Sequence, residues 1–317
     1  MTRRSAWVLS NGMIGMDNQS LGLAEALDLD VTIKTLHPAA PWMHLPPSLW
    51  LRPLHALRPG SDRIEPPWPD VVIGTGRLNV AASVAIARAS KGRTRNVRVQ
   101  HPRIALRHFD AIVVPEHDRC TGSHVIQTLG AVNRVTQARL DAAAAHFAPG
   151  LADLPRPFVT VLLGGNNSQY TLDATFAARL AGQIGDALRS SGGSVLITPS
   201  RRTPPELLQP VQALLQHYPG RIWLGSDDNP YFGWLALADT IVVTADSVNM
   251  ASEAAFTGKP VYVSGLSGKN NKFERFHQRL QERGCTRPFA GELSVWQYAP
   301  LDETRIAATR VKQQLGW

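Results

Sequence analysis

Short, almost wholly apolar runs alternate along this chain with longer stretches in which alanine, leucine and polar residues recur at helical spacing. Runs that are apolar at every position suit strands buried on both faces, and the alternation is that of β–α–β units around a parallel sheet. In the first half the pattern predicts strands at Ala6–Leu9, Val31–Thr35, Val71–Gly74, Asn96–Val99, Ala111–Val114 and His124–Thr128. Helices are predicted there at Gln19–Leu27, Val80–Ala89 and Val135–His146. The stretch Ala148–Pro157, with three prolines and a glycine, reads as a linker. The pattern then restarts, with strands at Phe158–Leu163, Ser194–Thr198, Ile222–Leu224, Thr240–Val243 and Val261–Val263. Its helices fall at Ala174–Ser190, Pro205–His217, Tyr231–Ala238, Val248–Thr257, Lys272–Arg283 and Leu301–Leu315. The expectation is an α/β protein of two Rossmann-like domains facing a cleft, residues 1–150 and 151–317.

Length agrees with two domains, since 317 residues divide into two of ordinary size. No run of about 18 apolar residues is present, which excludes a membrane-spanning helix. Arg3 and Arg4 precede an apolar run too short for a signal-peptide core, so Ala6–Leu9 reads as a first buried strand. Two cysteines, Cys120 and Cys285, exclude a disulfide framework. A cytoplasmic location is expected. The net charge of +8 favours anionic partners, but the arginines are scattered and no aromatic-interleaved basic ladder occurs. Diphosphates and anionic lipid fit this charge better than nucleic acid does. Pro41–Leu57, PWMHLPPSLWLRPLHAL, breaks the rhythm: it is dense in Trp, Leu and Pro and has no acidic residue. It is either a proline-punctuated cap on the first domain or an exposed patch that meets a membrane or a lipid-linked acceptor.

In open parallel sheets ligands bind beyond the carboxyl ends of the strands, where helix N-termini present free N–H groups to phosphate. After the first strand, Ser10–Gln19 offers Gly12, Gly15, Asn18 and Gln19 as an anion- or acceptor-binding turn. Its glycines serve a plain tight turn as well, and the dinucleotide fingerprint is incomplete. After the third strand, Gly74-Thr75-Gly76-Arg77 makes Gly76 and Arg77 an anion cradle. After Val114, Glu116, His117 and Asp118 are candidates for general-base work, with a hydrogen-bonded turn as the alternative. His101, His108, His117 and His124 follow no metal-ligand spacing, and no metal is expected.

The second half is richer. Gly164, Gly165 and Asn166, in the turn Leu162–Ser168, form a phosphate-loop candidate. Ser200, Arg201 and Arg202 follow the next strand, where guanidinium matches diphosphate geometry. Asn229 and Tyr231 open a helix. The strand ending at Thr244 then leads through Asp246-Ser247 into a helix carrying Met250 and Glu253 before Gly258 stops it. Ser247 with that helix N-terminus suits a phosphate, and Glu253 suits a ribose diol.

This stretch resembles the donor-binding region of GT-B glycosyltransferases and of non-hydrolysing UDP-N-acetylglucosamine 2-epimerases, in which a strand, a Ser/Gly turn and a Glu-bearing helix precede E-A-x-x-x-G-K/L-P-V. The resemblance implies Glu253 on the ribose and Ser247 on the diphosphate of a UDP- or GDP-sugar, with no cofactor besides. The chain as a whole resembles the "elongated mitochondria" fission family, in its bacterial branch. The matching pieces are N-Q-S-L-G-L-A-E-A-L (18–27), G-T-G-R (74–77), F-D-A-I-V-V-P-E-H-D (109–118), L-L-G-G-N (162–166), T-P-S-R-R-T-P (198–204), N-P-Y-F-G (229–233) and T-A-D-S-V-N-M-A-S-E-A (244–254). Together these resemblances imply a final helix that packs back on the first domain and a metal-independent sugar transfer from a nucleotide sugar. An epimerase or hydrolase of that nucleotide sugar, and a non-catalytic scaffold that keeps the fold, are the alternatives.

Overall fold

The computed structural model describes residues 3–167, 170–225, 228–265 and 271–317. The chain divides into two compact units, one of residues 1–134 with 302–317, the other of 135–301.

The first unit holds strands β1 (Ser5–Ser10), β2 (Asp30–Thr35), β3 (Val71–Thr75), β4 (Arg95–Val99), β5 (Ala111–Pro115) and β6 (Val125–Thr128). They form one parallel sheet in the order β2-β1-β3-β4-β5-β6. The chain leaves β1 to one side and returns on the other, so the topological switch lies between β1 and β3. Helices α1 (Ile14–Ala26) and α2 (Val80–Ala89) cover the sheet, and the apolar residues of β3, β4 and β5 are buried as the unbroken apolar pattern requires.

The second unit begins with α3 (Gln137–Phe147) and continues with β7 (Phe158–Leu163), α4 (Ala174–Ser191), β8 (Ser194–Pro199), α5 (Pro205–Gln212) and β9 (Gly220–Ile222). Then come α6 (Tyr231–Leu237), β10 (Thr240–Thr244), α7 (Val248–Phe256), β11 (Val261–Ser264), α8 (Asn271–Glu282) and β12 (Thr286–Pro288). The sheet is again parallel, in the order β12-β11-β10-β7-β8-β9, with its switch between β7 and β10. Helix α3 lies with this unit because it packs on α6, where Gly233 leaves room for Phe147. The last helix, α9 (Glu303–Leu315), belongs to the first unit: Ala307, Ala308, Val311 and Leu315 share a core with Val8, Ile73 and Val97.

Four elements depart from the pattern-based reading. Helix α1 starts five residues early, at Ile14, so Gly15 is inside its first turn and Gly12, at φ +79°, is the turn glycine. Helix α5 runs through Pro210, ends at Gln212 and passes into a 3-10 turn at Ala213–Gln216. Strand β9 sits at 220–222 rather than 222–224, leaving Leu224 exposed. Strand β12 had no apolar signal because it is three residues at the sheet edge, Thr-Arg-Pro.

Candidate functional site

The carboxyl ends of β7 and β10 flank the second sheet's switch point, and the turns leaving them are fastened to one another. Asp246, almost wholly buried, is the fastener. Its Oδ2 accepts from the Gly165 amide at 2.9 Å, and its Oδ1 accepts from Thr244 Oγ1 at 2.6 Å. The Gly164 amide donates to Thr244 Oγ1 at 2.8 Å, and Asn167 Nδ2 to the Asp246 carbonyl at 3.3 Å. A Cβ on Gly164 would run into the Asp246 carboxylate, and one on Gly165 into the Arg202 backbone, so both positions need glycine for close approach. The amides of Gly164 and Gly165 are therefore committed inside the protein, and this turn is not an open phosphate loop of the kind its glycines suggest. Asn166 closes it further, its Oδ1 accepting from the Leu172 amide at 2.7 Å. Ser168, last residue of the predicted loop, lies outside the described residues.

Of the two arginines after β8, Arg202 turns to the site and Arg201 is exposed. Arg202 Nη1 donates to the Asn166 carbonyl at 3.1 Å, and Nη2 stands 3.7 Å from Asp246 Oδ2. About half of its side chain remains exposed, so the guanidinium bridges the buried turn and solvent. Ser200 builds the bend behind it: its amide donates to Thr203 Oγ1 at 2.8 Å and its hydroxyl accepts from the Arg202 amide at 3.2 Å. Burial raises the Asp246 carboxyl, and the hydrogen bonds from Thr244 and Gly165 together with Arg202 oppose that rise.

Helix α7 starts from the same strand end. The Ser247 hydroxyl accepts from the Met250 amide at 3.2 Å, so it caps the helix. Met250 is half-buried on the first turn. One turn on, Glu253 is 7% exposed and its Oε2 accepts the Tyr231 phenol at 2.5 Å. Burial pushes the Glu253 carboxyl up to about 7 against the pull of that hydrogen bond. Burial and the neighbouring carboxylate push the Tyr231 phenol well above its ordinary value, so it stays a donor. Asn229 fixes the entry to α6, its Oδ1 accepting from the Tyr231 amide at 3.0 Å.

Asn229, Tyr231 and Glu253 thus come together, and so do Gly164, Gly165, Asn166, Ser200, Arg202 and Ser247. Sequence reasoning missed Asp246 as the residue that organises the second group. The signal was a carboxylate at the end of a buried strand, opposite a Gly-Gly turn across the switch point.

In the first unit the strand-end residues do different work. Arg77 is no anion cradle: its Nη1 and Nη2 donate to the carbonyls of Leu45 and Met43 at 2.8 and 2.5 Å, clamping the Trp-rich segment. That segment is a cap of 3-10 turns, with Trp50 buried against Ala56 and Ala81 and Trp42 packed beside it. Gly76, at φ +80°, accepts through its carbonyl from Nη2 of the buried Arg98, whose Nη1 donates to Asn79 Oδ1 at 2.9 Å. Arg98 is pushed down to about 9 by burial. After β1, the Gly12 amide donates to Ser10 Oγ at 3.0 Å, and Ser10 Oγ donates to Asp17 at 2.7 Å. Burial raises the Asp17 carboxyl. Asn18 is half-buried on α1, and Gln19, buried, accepts from Gln100 Nε2 at 3.2 Å. After β5, Glu116 is exposed, whereas His117 is buried with its Nε2 4.0 Å from Asp118 Oδ1.

The sequence pattern of the mitochondrial fission ELM1 family matches residues 14–315. The chain belongs to that family. It is 36% identical over 279 residues to the mitochondrial fission protein ELM1 of Arabidopsis thaliana, covering 78% of this chain and 65% of that protein. The chain thus spans somewhat less than two thirds of that relative's length. Among solved structures it resembles the Methanocaldococcus jannaschii UDP-GlcNAc 2-epimerase in complex with UDP-GlcNAc and UDP. That likeness has a TM-score of 0.53 and 12% identity over 98% of this chain and 99% of that one. It also resembles the glycotransferase of kitacinnamycin, at a TM-score of 0.52 and 13% identity over 100% and 94% of the two chains. These likenesses establish the fold: two parallel α/β sheets of the kind found in GT-B glycosyltransferases and the 2-epimerases.

Proposed function

We propose that the protein is a metal-independent GT-B-type glycosyltransferase, which holds a nucleotide-sugar donor, such as a UDP- or GDP-sugar, at the β7/β10 switch point of its second unit. One observation carries the reading: a buried carboxylate, Glu253, stands one turn into the helix that begins where β10 ends. A ribose hydroxyl bonds well to such a group, and Arg202 supplies a half-exposed guanidinium for the diphosphate nearby. Structural neighbours that bind UDP and UDP-GlcNAc support the choice of ligand. Transfer needs a group to take the acceptor's proton, and the candidates are Glu116, His117 and Asp118. A lipid-linked acceptor, or an anionic membrane surface, suits the basic charge and the exposed Leu49 and Leu51.

A non-catalytic scaffold is the second reading, favoured by the commitment of the Gly164 and Gly165 amides and the Ser247 hydroxyl to internal bonds. An epimerase or hydrolase on the same fold would turn over the nucleotide sugar without an acceptor. A thermal-shift series with nucleoside diphosphates and their sugars tests the shared premise, because a ligand at a hundredfold excess over its Kd stabilises by about 2.7 kcal/mol. Glu253→Ala should weaken nucleotide binding by about 1.5–3 kcal/mol, the scale of a hydrogen bond to a charged group, while α7 survives. Unchanged affinity in a folded Glu253→Ala protein removes Glu253 from the site.

A further inference from the structure

The positive charge is not spread evenly along the chain. Residues 71–109 hold eight lysines and arginines and no aspartate or glutamate. Three of the eight are committed inside the first unit: Arg77 clamps the cap, Arg98 is buried, and Arg95 pairs with Asp110 at 2.9 Å. Of the other five, Arg88, Lys91, Arg93 and Arg107 are exposed at one end of the sheet. Arg88 is in the last turn of α2, Lys91 and Arg93 are in the turn from α2 into β4, and Arg107 is in the 3-10 turn before β5. Asn96, at the start of β4, ties these pieces together: its Nδ2 donates to the His108 carbonyl at 3.0 Å and its amide to Asp110 Oδ2 at 2.7 Å. Burial and the charges of Arg88 and Arg107 hold the His108 imidazole below its ordinary value, which puts both guanidiniums in one neighbourhood. Two acids lie at the same end. Asp110 is matched by Arg95, and Asp70 accepts the Ser5 amide and hydroxyl at 2.8 and 2.9 Å, so the rim keeps a positive excess. Among the described residues, none of the four exposed cations has a carboxylate partner.

We infer that this rim, Arg88, Lys91, Arg93 and Arg107, is a docking surface for an anionic lipid membrane. The inference rests on the anionic-surface part of the proposed function and gives that surface its residues. The chemistry of the rim chooses the partner. None of the exposed large apolar side chains lies among these residues, so the rim lacks the buried anchor that a stable protein interface needs. It also has no exposed aromatic ring on which a nucleic-acid base could stack. A layer of lipid phosphates needs neither, because each lysine or arginine near such a surface contributes by charge alone. The rim sits at the amino ends of β4 and β5, opposite the strand ends that carry Gly76 and His117. A protein docked through it turns those strand ends away from the bilayer.

Co-sedimentation of the full chain with phosphatidylserine–phosphatidylcholine vesicles tests this, with pure phosphatidylcholine vesicles as the neutral arm. Wild-type protein should bind only the anionic vesicles, and less as salt is raised. Each rim charge is worth roughly fivefold in partitioning, so the triple variant Arg88→Gln, Lys91→Gln, Arg107→Gln should bind roughly a hundredfold more weakly. A control that removes the same charge elsewhere, Arg63→Gln, Arg189→Gln, Arg283→Gln, should bind like wild type. Melting curves check both variants; if the rim triple does not fold, Arg107→Gln alone should still show the roughly fivefold step. Equal losses in the two triples overturn the inference, because the attraction then belongs to the net charge and not to the rim. So does wild-type protein that ignores the vesicles, including one that binds duplex DNA or polyglutamate through these same residues. Nucleotide binding, read by thermal shift, is untouched by any of these outcomes, so the glycosyltransferase reading stands or falls separately.

Discussion

Glu253 is an acid placed where its charge is poorly solvated, and that has a consequence for stability independent of any ligand. Its folded-state value of about 7 lies above the usual 4.5 of a glutamate. Between those values the folded protein binds more protons than the unfolded chain, so stability falls as pH rises through this window. The rise from 4.5 to about 7 limits the loss to about 3 kcal/mol. Glu253→Gln, which has no charge to bury and can still accept from Tyr231, should match the wild type near pH 4.5 and exceed it in melting temperature at pH 8. A difference that is constant with pH would show that Glu253 is ionised at no cost. Glu253 was legible in the sequence because its helix is punctuated: a strand before Asp246-Ser247, and Gly258 and Pro260 after it. Asp246 was not, because its importance lies in a hydrogen bond to Gly165, 81 residues away in the chain. Arg77 was misread for a related reason. A Gly-x-Gly-Arg turn reads as an anion cradle only while no carbonyls wait for the guanidinium, and the carbonyls of Met43 and Leu45 do.

At the scale of elements, the strands followed from the apolar runs almost residue by residue, since strands buried on both faces leave little room for another pattern. Where prediction and structure part, local chemistry explains the difference. The missing signal for β12 reflects an edge strand of three residues, two of them polar or charged. Helix α9 shows what periodicity does not reveal, because its attachment is written in polar residues. Thr304 Oγ1 accepts from the Asn133 amide at 2.9 Å and donates to the Asn133 carbonyl at 3.0 Å, both buried. Glu303 accepts from the Leu129 amide at 2.7 Å. Replacing Thr304 by Val keeps the shape and removes the hydroxyl partner of both Asn133 groups, which should cost about 1–3 kcal/mol. Urea titration would detect this as a lower midpoint with an unchanged slope. A midpoint equal to wild type would mean that the apolar face of α9, Ala307, Ala308, Val311 and Leu315, holds the helix alone.

The whole molecule places its two sheets' switch points in different ways, between β1 and β3 in one unit and between β7 and β10 in the other. Among the described residues, the second switch point brings together buried carboxylates and a half-exposed arginine. The first instead carries the molecule's other distinctive feature, a Trp-rich cap clamped by Arg77. The chain's charge of +8 and the absence of any acidic residue between Pro41 and Leu57 suit an anionic surface. Trp50 is not an anchor for such a surface, and Trp42 is only partly exposed. Trp50 is 6% exposed in a core with Ala56 and Ala81, so Trp50→Ser should unfold the cap and lower the melting temperature. The exposed large apolar side chains of the segment are Leu49 and Leu51, at 57% and 74% exposed, with Arg52 next to them. Leu49→Ser with Leu51→Ser should leave stability within about 0.5 kcal/mol, as exposed substitutions do. If the cap meets lipid, that pair should lose binding to anionic vesicles. Wild-type binding should weaken as salt is raised, because exposed charges are screened over about 8 Å at physiological ionic strength. Co-sedimentation with anionic vesicles at two salt concentrations, run beside melting curves, separates the outcomes. Wild-type protein that stays in the supernatant at low salt rejects the membrane role, and binding that survives the double substitution moves it elsewhere on the basic surface.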